Sequence, residues 1–132
     1  MFSRGSNDGE LKSPSGVTVS MNGIITVADS GNGYIKQFDI NGNFVNKAGY
    51  VNALPENYSF SSVASDSKGN IFAVDGWNNQ VYEFSSDLSN FLSKYSCASG
   101  YPFDGVRSIS FSNSDKMALV VQANKITLYG VD

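Results

Sequence analysis

Histidine is missing altogether from this 132-residue chain. Its absence removes the commonest general base at neutral pH and the commonest transition-metal ligand together. Cysteine occurs once, at Cys97. No intrachain disulfide can form, the Cys/His spacings of zinc sites are excluded, and an isolated thiol of this kind reads as a buried one. Charge is scarce: 16% of residues are charged, with nine Lys and Arg against twelve Asp and Glu, net −3. The basic residues form no run, so the field that phosphate binding needs is lacking and nucleic acid is excluded as a partner. No apolar stretch approaches the roughly 20 residues of a membrane span. The first ten residues lack the apolar segment of a secretory leader. The chain is expected to be soluble, with no membrane partner. Its compartment stays open among a cytosolic protein, an exported one whose leader is gone, and an excised piece. Helical periodicity is lacking too: no apolar pattern at a 3.6-residue period persists for ten residues. Gly-x-Ser-x-Gly and the P-loop are also missing.

What is there is a repeat. The chain is 41% hydrophobic and 13% aromatic, enough to build a core. The stretch GIITVADSGNGYIKQFDINGNFV, residues 23–45, returns as GNIFAVDGWNNQVYEFS, residues 69–85. At one spacing of 46 residues Val17 meets Val63, Gly23 meets Gly69, Asp29 meets Asp75, Asn32 meets Asn78 and Phe38 meets Phe84. The same step carries Val63 to Ile109 and Ser62 to Ser108; a deletion then aligns Val81 with Ile126 and Phe84 with Tyr129. The third copy is degraded, with Asp115 in the glycine place and Val121 in the aspartate place.

A period in the forties filled with short strands is the signature of a β-propeller. The expected fold is all-β, built of four-stranded antiparallel blades, three per chain. The first blade should hold strands at about 17–20, 24–28, 34–39 and 44–47. The second should hold them at about 62–66, 71–75, 80–85 and 91–95, and the third at about 108–111, 117–122 and 125–129. Gly23 and Gly69 suit tight hairpins that need positive φ. Asp29 and Asp75 each end a strand and are placed to accept N–H groups of the turn that follows. A catalytic aspartate is needed once, whereas a turn aspartate is needed once per blade, so the recurrence favours structure. Asp39-Ile40-Asn41-Gly42-Asn43 has calcium-like oxygens but also the form of an ordinary hairpin turn, which is the reading preferred.

The segment SPSGVTVSMNGIITVADSGNGYIKQFDINGNFV resembles an NHL repeat. Pro14, Gly16, Val17, Gly23, Val27, Ala28, Asp29, Asn32, Ile35, Phe38 and Gly42 occupy that pattern's places. The match is close over about residues 5–85 and loose over 101–130. The resemblance implies a propeller, usually six-bladed, and most often a binding or scaffolding role. Lyases of that fold hold zinc with histidines, which this chain lacks. Lactonase-like propellers hold calcium with Glu, Asn and Asp near the ring axis, and no glutamate here falls in a first strand.

Three blades cannot close a ring, since closed propellers have about four to eight. Residues 1–132 are therefore expected to form one domain of three NHL-like blades, at about 11–49, 57–100 and 101–132. Residues 1–5 should complete a blade, and two copies should make a homodimeric six-bladed ring. The expected function is a non-catalytic binding or scaffolding module that recognises a protein or glycan through a loop face. The alternative is half of a six-bladed lactonase- or lyase-type enzyme using a carboxylate-bound calcium ion. The loops between second and third strands share a face with the inter-blade loops. That face gathers Trp77, Asn78, Tyr58 and Tyr101, the candidate ligand-binding residues, with Tyr50 and Phe103 nearby. No catalytic residue, metal ligand or cofactor is expected.

Overall fold

The computed structural model describes residues 3–96, 106–112, 116–121 and 125–130. Cys97, Tyr101 and Phe103 lie outside the described residues. After two short strands, β1 (Ser3–Arg4) and β2 (Glu10–Leu11), the chain forms three antiparallel sheets. The first orders β3 (Pro14–Val19), β4 (Ile25–Asp29), β5 (Tyr34–Phe38) and β6 (Phe44–Ala48). The second orders β7 (Phe60–Ser65), β8 (Ile71–Asp75), β9 (Gln80–Phe84) and β10 (Phe91–Ser96). The third orders β11 (Val106–Phe111), β12 (Lys116–Val121) and β13 (Lys125–Gly130). Among the described residues the sole helical piece is a 3-10 turn at Ser30–Asn32, and no helix is long and apolar enough to cross a membrane.

The first strand of each sheet starts two or three residues earlier than its valine pattern suggests. The reason is a bulge. Register slips between Pro14 and Gly16, between Phe60 and Ser62, and between Val106 and Ser108, the same repeat position each time. An extra residue there lets the strand bend and continue, and Pro14 is tolerated because it opens the strand.

Hairpins follow one recipe. Gly23 (φ 83°) and Gly69 (φ 86°) take the left-handed conformation that closes Ser20 onto Ile24 and Asp66 onto Asn70. Asp39 Oδ1 accepts the N–H groups of Asn41 and Asn43, both at 2.9 Å, so this segment is the hairpin turn it resembles. In the corresponding turn of the second sheet the left-handed place of Gly42 is held by Leu88 (φ 64°). Its side chain is buried in the main core, which offsets the steric cost that an L-residue meets there.

The sheets stack in chain order. Gly16 lies so close to β7 that a Cβ there would stand 3.1 Å from Ser62 Cα. Thr18 Oγ1 and Ser65 Oγ are 3.0 Å apart across the same junction. Ala28, Ile35 and Ala48 of the first sheet pack with Phe60, Val63, Ile71, Tyr82 and Phe84 of the second. Between the second and third sheets Ala64, Phe72, Val74 and Val81 pack with Ile109, and the Phe72 and Phe111 ring centroids are 4.6 Å apart. Within the single chain β1 pairs in parallel with β2, and Gly5 donates to the Leu11 carbonyl at 2.9 Å. This arm lies along the first sheet, held by the Lys36 ammonium, which donates to the carbonyls of Asn7 (3.0 Å) and Glu10 (2.6 Å).

Candidate functional site

Asp29 and Asp75 close β4 and β8 with no exposed surface. Asp75 Oδ1 accepts the N–H groups of Trp77 (3.0 Å) and Asn78 (3.1 Å) in its own turn, and that of Ser59 (3.2 Å) in the inter-sheet loop. Its Oδ2 accepts the Asn78 amide (2.7 Å) and the Tyr82 hydroxyl (2.5 Å). Burial first, then this bond to a carboxylate, pushes the Tyr82 hydroxyl far up from its usual pKa.

Asp29 corrects the expectation that it caps its turn. No backbone N–H of the turn reaches its carboxylate. The 3-10 turn closes on main chain instead, Gly33 N–H bonding the Asp29 and Ser30 carbonyls and Gly31 N–H bonding the Lys12 carbonyl at 2.8 Å. A Cβ on Gly31 would overlap that carbonyl, which makes glycine necessary there. The freed carboxylate takes the Lys12 N–H (2.7 Å), the Asn32 amide (2.7 Å) and the buried Lys36 ammonium (2.9 Å). Lys36 and Tyr82 hold the same repeat place. Both aspartates thus pin the preceding loop to the turn, by different donors.

These pins build a platform. Tyr58 donates its hydroxyl to the Gly33 carbonyl (2.6 Å) and accepts the Tyr50 N–H (2.9 Å). Burial raises its pKa to about 12. The Tyr50 hydroxyl donates to the Asn32 carbonyl at 3.0 Å, and the Asn78 amide donates to the Asn57 carbonyl at 2.6 Å. The loop through residues 50–58 is therefore tied to the turn of the first sheet on one side and that of the second on the other. A run of ring contacts, edge-to-face from Tyr34 through Tyr50 to Tyr58 and tilted from Tyr58 to Phe60, underlies it, with centroids 4.9–5.6 Å apart. Phe60 is fully buried and packs between the first two sheets.

Of the four candidate ligand residues, Tyr101 lies outside the described residues. Tyr58 and Asn78 are on the platform, and their polar atoms serve the internal bonds above. Trp77 is 70% exposed and Tyr50 65%. The Trp77 backbone is fixed while its indole stands in solvent.

A feature missed by sequence reasoning lies on the other side, where the first-to-second-strand hairpins collect. A cleft of 810 Å³ runs between the first two sheets, lined by Ser20, Met21, Asn46, Lys68 and Asp87 among others. Its floor is the buried Gln37, whose amide donates to the Ser86 carbonyl (2.7 Å) and Thr26 Oγ1 (3.2 Å). The signal was the Ser, Asn and Asp content of these hairpins, which also reads as plain turn chemistry. Among the described residues no three Asp, Glu or Cys side chains gather to hold a metal ion.

No protein-family model matches the chain, and no curated protein matches it. Solved structures do. Virginiamycin B lyase from Staphylococcus aureus superposes with TM-score 0.63 at 17% identity, over 89% of this chain and 41% of that one. A streptogramin B lyase gives 0.61 at 16%, over 96% and 42%. The WD40 repeats of RRP9 give 0.72 at 11%, over 89% and 35%. The chain spans about two-fifths of the length of these structures. Identity this low establishes fold alone. With three like-built antiparallel sheets stacked in order, it defines a β-propeller-type repeat protein.

Proposed function

We propose that the chain is a non-catalytic binding module of NHL-repeat type, three blades of a six-bladed ring completed by a second copy. Its loop face captures a protein or glycan ligand. The observation that carries this is Trp77: an indole held out in solvent on a backbone locked by a buried carboxylate. A rigid exposed aromatic gives contact area at little ordering cost, and indole faces stack on sugars and anchor protein interfaces. Tyr50 extends the same face. The non-catalytic part draws support from the lyase likeness itself. A histidine-to-alanine form of the Staphylococcus aureus lyase, solved with quinupristin, is catalytically inactive, and this chain has no histidine to take such a part.

The test uses arrays of neutral oligosaccharides and of folded proteins, probed with the intact chain and two variants. Binding should fall at least tenfold in Trp77→Ala and persist in Met21→Ser, which alters the opposite side. Melting temperature should be unchanged in both. Binding that survives Trp77→Ala, or that is lost with Met21→Ser, would overturn the loop-face assignment.

A further inference from the structure

Val17, Val63 and Ile109 hold one repeat place in β3, β7 and β11. Val63 and Ile109 are each 5% exposed, whereas Val17 is 62% exposed. The reason lies in what precedes each. Val63 is buried in one core with Ala28 and Ile35, cross-strand partners in the first sheet. Ile109 is buried in one core with Val74 and Val81, cross-strand partners at the same place in the second. Nothing among the described residues covers Val17 or its neighbour Val19, at 58%. The arm of residues 3–12 runs along the first sheet just as residues 50–59 run along the second. Lys12 N–H meets Asp29 where Ser59 N–H meets Asp75. Among the described residues the loop part of a blade junction is thus present on this face and the sheet part is not.

The surface that fits is on the same chain. In the third sheet Val120 and Ile126 are cross-strand partners, in the register place that Ala28 and Ile35 hold in the first sheet and Val74 and Val81 in the second. We infer that the Val17–Val19 face docks on the Val120–Ile126 face of a second copy, head to tail, repeating between molecules a junction the chain already makes twice within itself. Two chains then share two identical junctions, and the ring closes. Both faces are apolar in their defining positions, and pairing would bury Val17 and Val19 as Val63 and Ile109 are buried within the chain. The inference rests on the three-blade reading and adds to it the surfaces that meet. It does not depend on Trp77.

The experiment is light scattering with crosslinking on the intact chain. Wild type should have twice the 14.2 kDa chain mass. In a Cys97→Ser background, Val17→Cys mixed with Ile126→Cys should give a covalent pair with a short bismaleimide, and Val17→Cys alone should not. Val17→Asp should halve the mass while the far-ultraviolet dichroism keeps its sheet form. If Val17→Asp does not fold, the crosslinking arm still decides. A 14.2 kDa monomer, a covalent pair from Val17→Cys alone (a face-to-face dimer), or a scattering mass that grows beyond two chains with concentration would each overturn the proposal. Trp77→Ala should leave mass and crosslink unchanged, so loss of loop-face binding and loss of ring closure are read separately.

Discussion

At the scale of single residues, the buried carboxylates decide more than their exposed counterparts. Asp29 and Lys36 are both removed from water and face each other at 2.9 Å. Removing one partner leaves the other charged and unpaired, which costs about 3–5 kcal/mol, whereas replacing both by apolar groups is far cheaper. Asp29→Ala should therefore lower unfolding free energy by about 3–5 kcal/mol in urea titrations. The double variant Asp29→Ala/Lys36→Met should recover at least half of that. Equal losses in single and double would show that the carboxylate acts through Lys12 and Asn32 instead. Tyr58 sets an alkaline limit. Its folded pKa, about 12, lies above the ordinary 10.0. A raised folded value means that the neutral form is favoured by folding. Its contribution is complete below pH 10 and is lost as pH rises toward 12. Melting temperature should fall across that window, and less steeply in Tyr58→Phe. The Tyr82 shift has the same sign.

At the scale of elements, turns are governed by which residue can adopt positive φ and by what its side chain can bury. Gly42 (φ 85°) and Leu88 (φ 64°) solve the same hairpin differently. Gly42→Ala should destabilise by roughly 1–2 kcal/mol, because a Cβ is disfavoured in the left-handed region. Leu88→Gly removes that strain, worth about 1–2 kcal/mol, but empties a buried site whose loss costs about 3–5 kcal/mol. Burial wins, so the variant should be about 2 kcal/mol less stable by thermal melting. A stabilised Leu88→Gly would mean that strain outweighs packing here. Asp87, inside the turn that Ser85 opens, adds an acid limit. Hydrogen bonds from the Ser89 hydroxyl and N–H hold Asp87 at about 2. The order it gives its turn should be present above pH 4 and lost toward pH 2, seen as faster amide exchange at Ser89 and Asn90.

At the scale of the whole molecule, one fact dominates. The repeated first-strand position is buried in two sheets and exposed in the first. Folding stability should then be tied to assembly. Melting temperature should fall on hundredfold dilution, because a state stabilised by a partner follows mass action. A melting temperature independent of concentration would show that the face is stable uncovered. The far-ultraviolet spectrum should have a single sheet minimum, consistent with one 3-10 turn among the described residues.

The sequence by itself determined the repeat, its 46-residue step and the all-β propeller-type architecture. Strand alternation and glycine-marked hairpins are local signals, written in consecutive residues. It also placed Trp77, Asn78 and Tyr58 on one face, because antiparallel connection alone decides which loops neighbour each other. Tertiary structure decided what those residues are free to do. Tyr58 and Asn78 have their polar atoms bonded to carbonyls 21–25 residues away, a relation no local pattern encodes. It decided that Asp29 meets Lys36 and the Lys12 N–H rather than the backbone N–H groups of its own turn. The competition between a 3-10 turn and an Asx turn is settled by the loop packed above it. It formed the hairpin-side cleft, whose walls come from different sheets. And it decided that Val17 and Val63, alike in sequence context, differ in exposure, because burial depends on the sheet that stands in front.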